Sequence, residues 1–183
     1  QLPSTLEEIG EGAFRYCSAL MCEISLPHSL KRIGDFAFQV SAIRGNLVLP
    51  EGLEYIGEYA FNYCNSLTGS LTIPSGIKVI SNGVFDHCGS TGNLNLPMGL
   101  TEIQEYAFRG TKFKGELNIP STVTIIGSEA FANTEFNGTL ILPKELIVLG
   151  ARAFSGCWRL SGVVEIPENI TVIPSDLFSG CSN

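Results

Sequence analysis

Residues 142–157 read Leu-Pro-Lys-Glu-Leu-Ile-Val-Leu-Gly-Ala-Arg-Ala-Phe-Ser-Gly-Cys, and residues 73–88 read Ile-Pro-Ser-Gly-Ile-Lys-Val-Ile-Ser-Asn-Gly-Val-Phe-Asp-His-Cys. Both stretches set the same residue types at the same distances from a proline. Working outward from them, proline recurs as Pro3, Pro27, Pro50, Pro74, Pro97, Pro120, Pro143 and Pro167. Phenylalanine keeps step as Phe14, Phe38, Phe61, Phe85, Phe108, Phe131, Phe154 and Phe178. A unit repeated at this spacing cannot bury its apolar face alone and does so by stacking on its neighbours. The chain, 183 residues long, is therefore read as one solenoid domain over residues 1–183, built from about eight units of 23–24 residues.

Within each unit the pattern is local. Apolar residues one and three before the proline, such as Leu94 and Leu96, alternate as in a short strand with one face buried. Proline closes that strand because it lacks the N–H a ladder needs. Five residues before the proline stands glycine (Gly45, Gly69, Gly92, Gly115, Gly138, Gly162), replaced once by Cys22. This column suggests a turn with positive φ or close packing between rungs. A second short strand follows the proline, as at Leu53 and Ile56. Ile9, Ala13, Phe14 and Cys17 are then spaced to share one helical face, which predicts a single helical turn. Pro174 suits the first position of such a turn. Units with a short connection after it carry Phe113 or Phe136 as the next anchor, so loop length and core filling compensate. The fold class expected is an α/β solenoid of short strands and single helical turns.

Stretches of the form Leu/Ile-Pro-x-x-Leu-x-x-Ile-Gly-x-x-Ala-Phe-x-x-Cys resemble the BspA-like, or Treponema-type, leucine-rich repeats, and the resemblance runs through the whole chain. It implies a right-handed, curved array with a parallel sheet on its concave side. It also implies a secreted or cell-surface protein that adheres to a host or microbial surface protein or glycan. No catalytic residues come with the family.

Composition agrees with a scaffold. Apolar residues make up 44%, enough for a continuous core, while charged residues are only 16%. The net charge of −7 argues against nucleic acid, whose phosphates require clustered Lys and Arg. No apolar run approaches the roughly 18 residues of a membrane helix, so direct membrane insertion of this segment is not expected. The chain opens inside a unit and ends at Asn183 without polar end caps. It is expected to be a piece of a longer protein whose export signal and anchor lie elsewhere.

Reactive residues are sparse. Cys17, Cys64, Cys88, Cys157 and Cys181 share one column with Ser and Thr, as small buried packing residues do. Disulfides between neighbouring rungs are the second reading, because parallel side chains hold Cβ atoms wider than the about 3.8 Å a bridge needs. Zinc is the third, since a tetrahedral ligand set is absent. His28 and His87 lie in different columns and are read as surface or edge residues. No catalytic, cofactor-binding or metal site is expected, and no cofactor.

The outward positions of the first strand form the candidate binding face: Asn46, Ser70, Thr72, Asn93, Asn95, Glu116 and Asn118. Short polar side chains suit a glycan or an extended peptide, although the face lacks aromatic anchors. A plainly solvated sheet surface is the competing reading. Trp158 stands where other units carry Ser18, Asn65, Lys112 and Glu135. It is expected to project from a loop as an anchor or to lie flat over the next rung. On the second strand Val79, Ile125, Ile147, Val148 and Val172 suggest packing of another domain or subunit. Asn137-Gly-Thr139 and Asn169-Ile-Thr171 match the glycosylation pattern, which matters only in a eukaryote. The functional expectation is a non-enzymatic cell-surface or secreted adhesion module. The alternative is a structural spacer that positions another domain.

Overall fold

The computed structural model describes residues 1–182. Its regular strands are all two residues long: β1 (Glu8–Ile9), β2 (Arg32–Ile33), β3 (Gly45–Asn46), β4 (Tyr55–Ile56), β5 (Leu67–Thr68), β6 (Leu71–Thr72), β7 (Val79–Ile80), β8 (Leu94–Asn95), β9 (Glu102–Ile103), β10 (Ile125–Ile126) and β11 (Val148–Leu149). Every pairing is parallel, and partners lie one sequence repeat apart, as Ile33 with Ile56 and Ile80 with Ile103, except in the first-strand pair Gly45–Leu67, which is shifted by two residues. That is the signature of a solenoid: each turn of the coil lays its strand beside the equivalent strand of the previous turn.

The strand after the proline carries the longer ladders. β1-β2-β4 form one sheet and β11-β10-β9-β7 another. At the break between them Ser81 replaces the glycine of Gly34 and Gly57, and its Oγ donates to Ile56 O at 2.7 Å. The strand before the proline pairs only as β3 with β5 and β6 with β8, plus single bridges such as Glu116 to Asn137. Its glycines explain the interruption. Gly69 has φ of +78°, and a Cβ there would stand 2.5 Å from Asn46 Oδ1 of the preceding turn. The left-handed kink limits each strand to a couple of residues, and only glycine leaves room for the side chain above it.

The core is a set of ladders. Ile33, Ile56, Ile80, Ile103 and Ile126 are buried in one column, with Ala37, Ala60, Ala107, Ala130 and Ala153 in another. The eight phenylalanines from Phe14 to Phe178 stack in sequence with centroids 5.1 to 5.8 Å apart, at 17° or less between planes. Such offset ring pairs contribute about 0.5–1.5 kcal/mol each beyond the area they bury. In the short-loop turns Phe113 and Phe136 meet Phe108 and Phe131 edge to face, at 72° and 76°. They fill the space that a longer loop occupies elsewhere.

The helical turn is a misreading. Among the described residues there is no helix, and the segment around each phenylalanine is a run of turns. Alternate N–H groups divide their bonds: Gly12, Phe14 and Tyr16 donate to Asp35, Ala37 and Gln39 of the next rung, while Ala13, Arg15 and Cys17 donate three residues back. The residues two before and two after each phenylalanine have positive φ, as Tyr59 (54°) and Tyr63 (56°) flanking Phe61. A left-handed L-residue costs roughly 1–2 kcal/mol. Here it turns every second N–H toward the neighbouring rung, which an α-helix would keep for itself. The spacing of Ile9, Ala13, Phe14 and Cys17 is helix-like only because successive turns are nearly as compact as a helix. The eightfold count is likewise not matched by the sheets, since no strand pair follows β11.

Candidate functional site

All seven strand-face candidates are exposed, and they fall into two columns that behave differently. Asn46, Ser70, Asn93 and Glu116 lie four residues before the proline and lean over the glycine of the next turn: Gly69, Gly92, Gly115 and Gly138 respectively. Ser70 Oγ accepts from Asn93 N at 3.0 Å. This column is tied up in shaping the coil. Thr72, Asn95 and Asn118 lie two residues before the proline. Thr72 and Asn95 are register partners, and Asn95 Nδ2 donates to Thr72 Oγ1 at 3.0 Å. Paired side chains of this kind hold their remaining donors and acceptors at the spacing of adjacent strands, about 4.8 Å.

Trp158 lies on the loop after Cys157 and is 47% exposed, with the Arg159 guanidinium 4.3 Å from the centre of its ring. Arg159 in turn reaches Glu135 at 3.9 Å. The residue projects, and the group stacked on its ring is the adjacent Arg159. The apolar column of the second strand is discontinuous. Register aligns Val79, Glu102, Ile125 and Val148, so a carboxylate interrupts it. Ile147, Val148 and Val172 are exposed beyond it.

The face of the turns holds what sequence reading missed. Arg15 Nε donates to Gln39 Oε1 (2.7 Å), Gln39 Nε2 to Asn62 Oδ1 (2.9 Å), and Asn62 Nδ2 to Asp86 Oδ2 (3.1 Å). From the other side Arg109 grips both Asp86 oxygens at 2.9 Å, and its Nη1 donates to Glu129 at 3.3 Å. Arg152 links Glu129 to Asp176. A polar chain thus runs from rung to rung along the turn face. Asp86 is its centre and is buried, and its carboxylate raises the already high pKa of Arg109. His87 is not simply a surface residue: it stacks on Tyr63 at 4.8 Å, and its Nδ1 lies 2.7 Å from Asp86 Oδ1. The available signal was a column, one residue after each phenylalanine, occupied in five successive units by Arg15, Gln39, Asn62, Asp86 and Arg109.

The cysteine column explains its own composition. All six cysteines are free. Cys64 and Cys157 direct Sγ at the carbonyls of Phe38 and Phe131 (3.0 and 3.1 Å), and Thr111 and Thr134 direct Oγ1 at Phe108 and Phe131 (2.7 and 2.8 Å). At these positions Cys and Thr supply one small donor for a phenylalanine carbonyl, while Ser41 Oγ pairs with Cys64 Sγ at 3.6 Å and Cys88 Sγ with Ser90 Oγ at 3.6 Å. Burial pushes the Cys64 thiol up to about 12 and the Cys157 thiol to about 11. Native alkylation at pH 8 is therefore expected to label exposed Cys22 first and to leave Cys64 and Cys157 unmodified. Under denaturing conditions six thiols should titrate, and mass spectrometry of the labelled peptides checks both. Because the unfolded chain ionises near the ordinary value of 9, the stability these thiols lend falls as pH rises from there toward 12.

Among the described residues no group of three or more His, Cys, Asp or Glu is placed to hold a metal ion, and no helix is long and apolar enough to cross a membrane. No curated protein matches the chain. Solved structures do. A leucine-rich repeat protein from Bacteroides ovatus is 29% identical with a TM-score of 0.81, over 100% of this chain and 46% of that one. A leucine rich cell surface protein from Faecalibacterium prausnitzii is 24% identical with a TM-score of 0.66, over 98% and 63%. The leucine-rich repeat protein of T. pallidum is 23% identical with a TM-score of 0.55, over 87% and 76%. The chain thus spans about half the length of the first of these and under two thirds of the second. The family profile described as BspA type Leucine rich repeat region matches residues 1–114 and 68–183 with six copies, against the eight units read from the proline and phenylalanine spacing. With that profile covering it from end to end and a parallel-stranded solenoid beneath, the chain belongs to the BspA-type leucine-rich repeat family.

Proposed function

We propose that this chain is a non-enzymatic binding module of a cell-surface or secreted protein, offering the face of its first strand to a protein or glycan. The observation that carries the reading is the Thr72–Asn95 pair. Polar side chains in register on adjacent strands repeat their hydrogen-bonding groups at fixed intervals, as an extended ligand requires. The family resemblance supports an exported setting. Binding of the chain to arrays of immobilised glycans and surface proteins tests it. The variant Thr72→Ala/Asn95→Ala/Asn118→Ala is expected to weaken binding of the captured ligand at least tenfold. Exposed substitutions of this kind change stability by no more than about 0.5 kcal/mol, so folding does not confuse the result. No ligand in the arrays, or one that the variant binds equally well, overturns the assignment.

The second reading, a spacer that holds another domain at a distance, is favoured by one specific feature. The uninterrupted ring stack from Phe14 to Phe178 suits a stiff rod.

A further inference from the structure

The sheet of β7, β9, β10 and β11 carries a groove on its solvent side. Two hollows of about 410 and 480 Å³ adjoin there and share Gln104 in their walls. Val79, Ile125 and Val148 give it an apolar floor, with Glu102 in register among them. Glu58 and Glu105 line its flank. Glu58 accepts from Asn82 Nδ2 at 3.0 Å and Glu102 from Gln104 Nε2 at 2.9 Å, so their closest partners are neutral amides. Among the described residues no Lys or Arg ion pair reaches Glu58, Glu102 or Glu105, whereas Asp86, Glu129 and Asp176 on the turn face are all matched by Arg109 or Arg152. Lys78, the cation at the first hollow, turns its Nζ to Ser75 O at 3.0 Å. The protein neutralises the carboxylates of the turn face, whereas among the described residues of the groove Glu54 has a cation, Lys31 at 3.7 Å, and Glu58, Glu102 and Glu105 are left without one over an apolar floor.

We propose that this groove docks an extended basic segment of a partner protein. The proposal rests on the binding-module reading and places a contact on a different face from the Thr72–Asn95 pair. A lysine or arginine matches both halves of the groove: its aliphatic stem covers valine and isoleucine while its charged head reaches a carboxylate. Nucleic acid carries the wrong charge, and a neutral glycan, whose hydroxyls can donate to a carboxylate, brings no counter-charge to it. Spacing narrows the ligand further. Glu58 and Glu105 belong to turns two apart, which at about 4.8 Å per strand is about 10 Å. A polyproline II chain, which is extended with three residues per turn, rises about 3.1 Å per residue, so a segment in that form with basic residues three apart presents them on one side at about that spacing.

The test uses this chain and a capped nonapeptide of lysine and alanine with lysines at positions 1, 4 and 7, read by calorimetry at low salt. Glu58→Gln/Glu102→Gln/Glu105→Gln is expected to weaken binding at least tenfold. Glu51→Gln/Glu145→Gln/Glu168→Gln removes the same charge outside the groove and is expected to change it less than twofold. A peptide of identical composition with its lysines adjacent should bind at least fivefold more weakly. Equal losses from both triple variants, equal affinity for both peptides, or no measurable binding would overturn the proposal. A ligand from the arrays that depends on Thr72, Asn95 and Asn118 but ignores the groove variant leaves the binding-module reading standing and this one refuted.

Discussion

Phe108→Ala should lower the stability of the chain by about 3–5 kcal/mol, the range for truncating a fully buried phenylalanine. Phe108 is completely buried, stacked on Phe85 at 5.6 Å and on Phe131 at 5.5 Å, with Phe113 against its edge at 6.2 Å. Removing its ring therefore opens a cavity bordered by three other rings, and two of those belong to neighbouring turns. Little can collapse into that space, because Ala107 and Ala130 already hold the backbone close. In a solenoid each turn contacts only its neighbours, so the damage should be local. Hydrogen exchange is expected to show protection lost around Phe85 and Phe131 before it is lost around Phe38 or Phe154. Denaturant unfolding supplies the magnitude, with Lys112→Ala as an exposed comparison expected to change stability by no more than about 0.5 kcal/mol. Equal tolerance at 108 and 112, or uniform loss of protection along the chain, would contradict the stacked-turn architecture.

The same contrast between buried and exposed columns decides what could be read from sequence. The isoleucine, alanine and phenylalanine ladders are legible because burial admits few residue types, so the repeat itself prints them. The Cys, Ser and Thr column is legible as small and buried, though the reason for its Cys and Thr, a donor for a phenylalanine carbonyl, is visible only in three dimensions. The turn around each phenylalanine was misread because its left-handed positions hold Tyr16, Phe36, Tyr59, Tyr63 and His87, residues that rarely mark positive φ. The clue lay in the same columns of other units, where Gly12, Gly83, Gly110 and Gly156 stand. Glycine alternating with aromatics is a steric pattern: a ring lies flat where the next turn has no Cβ, as His87 does against Gly110. For the candidate face, exposure was predictable from alternation. The division into a column leaning on glycine and a column holding Thr72 and Asn95 was not, because it depends on how each turn is offset from the next. The groove was invisible for a related reason. Its carboxylates come from two different columns, and only the register of β7 to β11 sets them around one floor.

The second large effect is expected at Asp86. Asp86→Ala should cost about 3–5 kcal/mol, as for breaking a buried ion pair from one side. Its carboxylate, 2% exposed, accepts from Arg109 Nε and Nη2 and from Asn62 Nδ2, with His87 Nδ1 also in reach. The direction of the whole upstream chain depends on it. Asn62 turns its amide nitrogen to the carboxylate, which leaves its oxygen to accept from Gln39, whose own oxygen accepts from Arg15. Deleting the carboxylate leaves the guanidinium of Arg109 with Glu129 alone as its anionic partner and removes the group that orders two amides. The loss should therefore exceed that of any one hydrogen bond, about 0.5–1.5 kcal/mol. Lys31–Glu54, an exposed pair at 3.7 Å, makes the comparison: Lys31→Ala should cost less than about 1 kcal/mol. Replacing both partners, as Asp86→Leu/Arg109→Met, should recover most of the loss, because the desolvation of both charges disappears with them. A double-mutant cycle on Asp86 and Arg109, read by urea unfolding, isolates their coupling. If Asp86→Ala and Lys31→Ala prove equally mild, the polar chain lies on the turn face without holding it together.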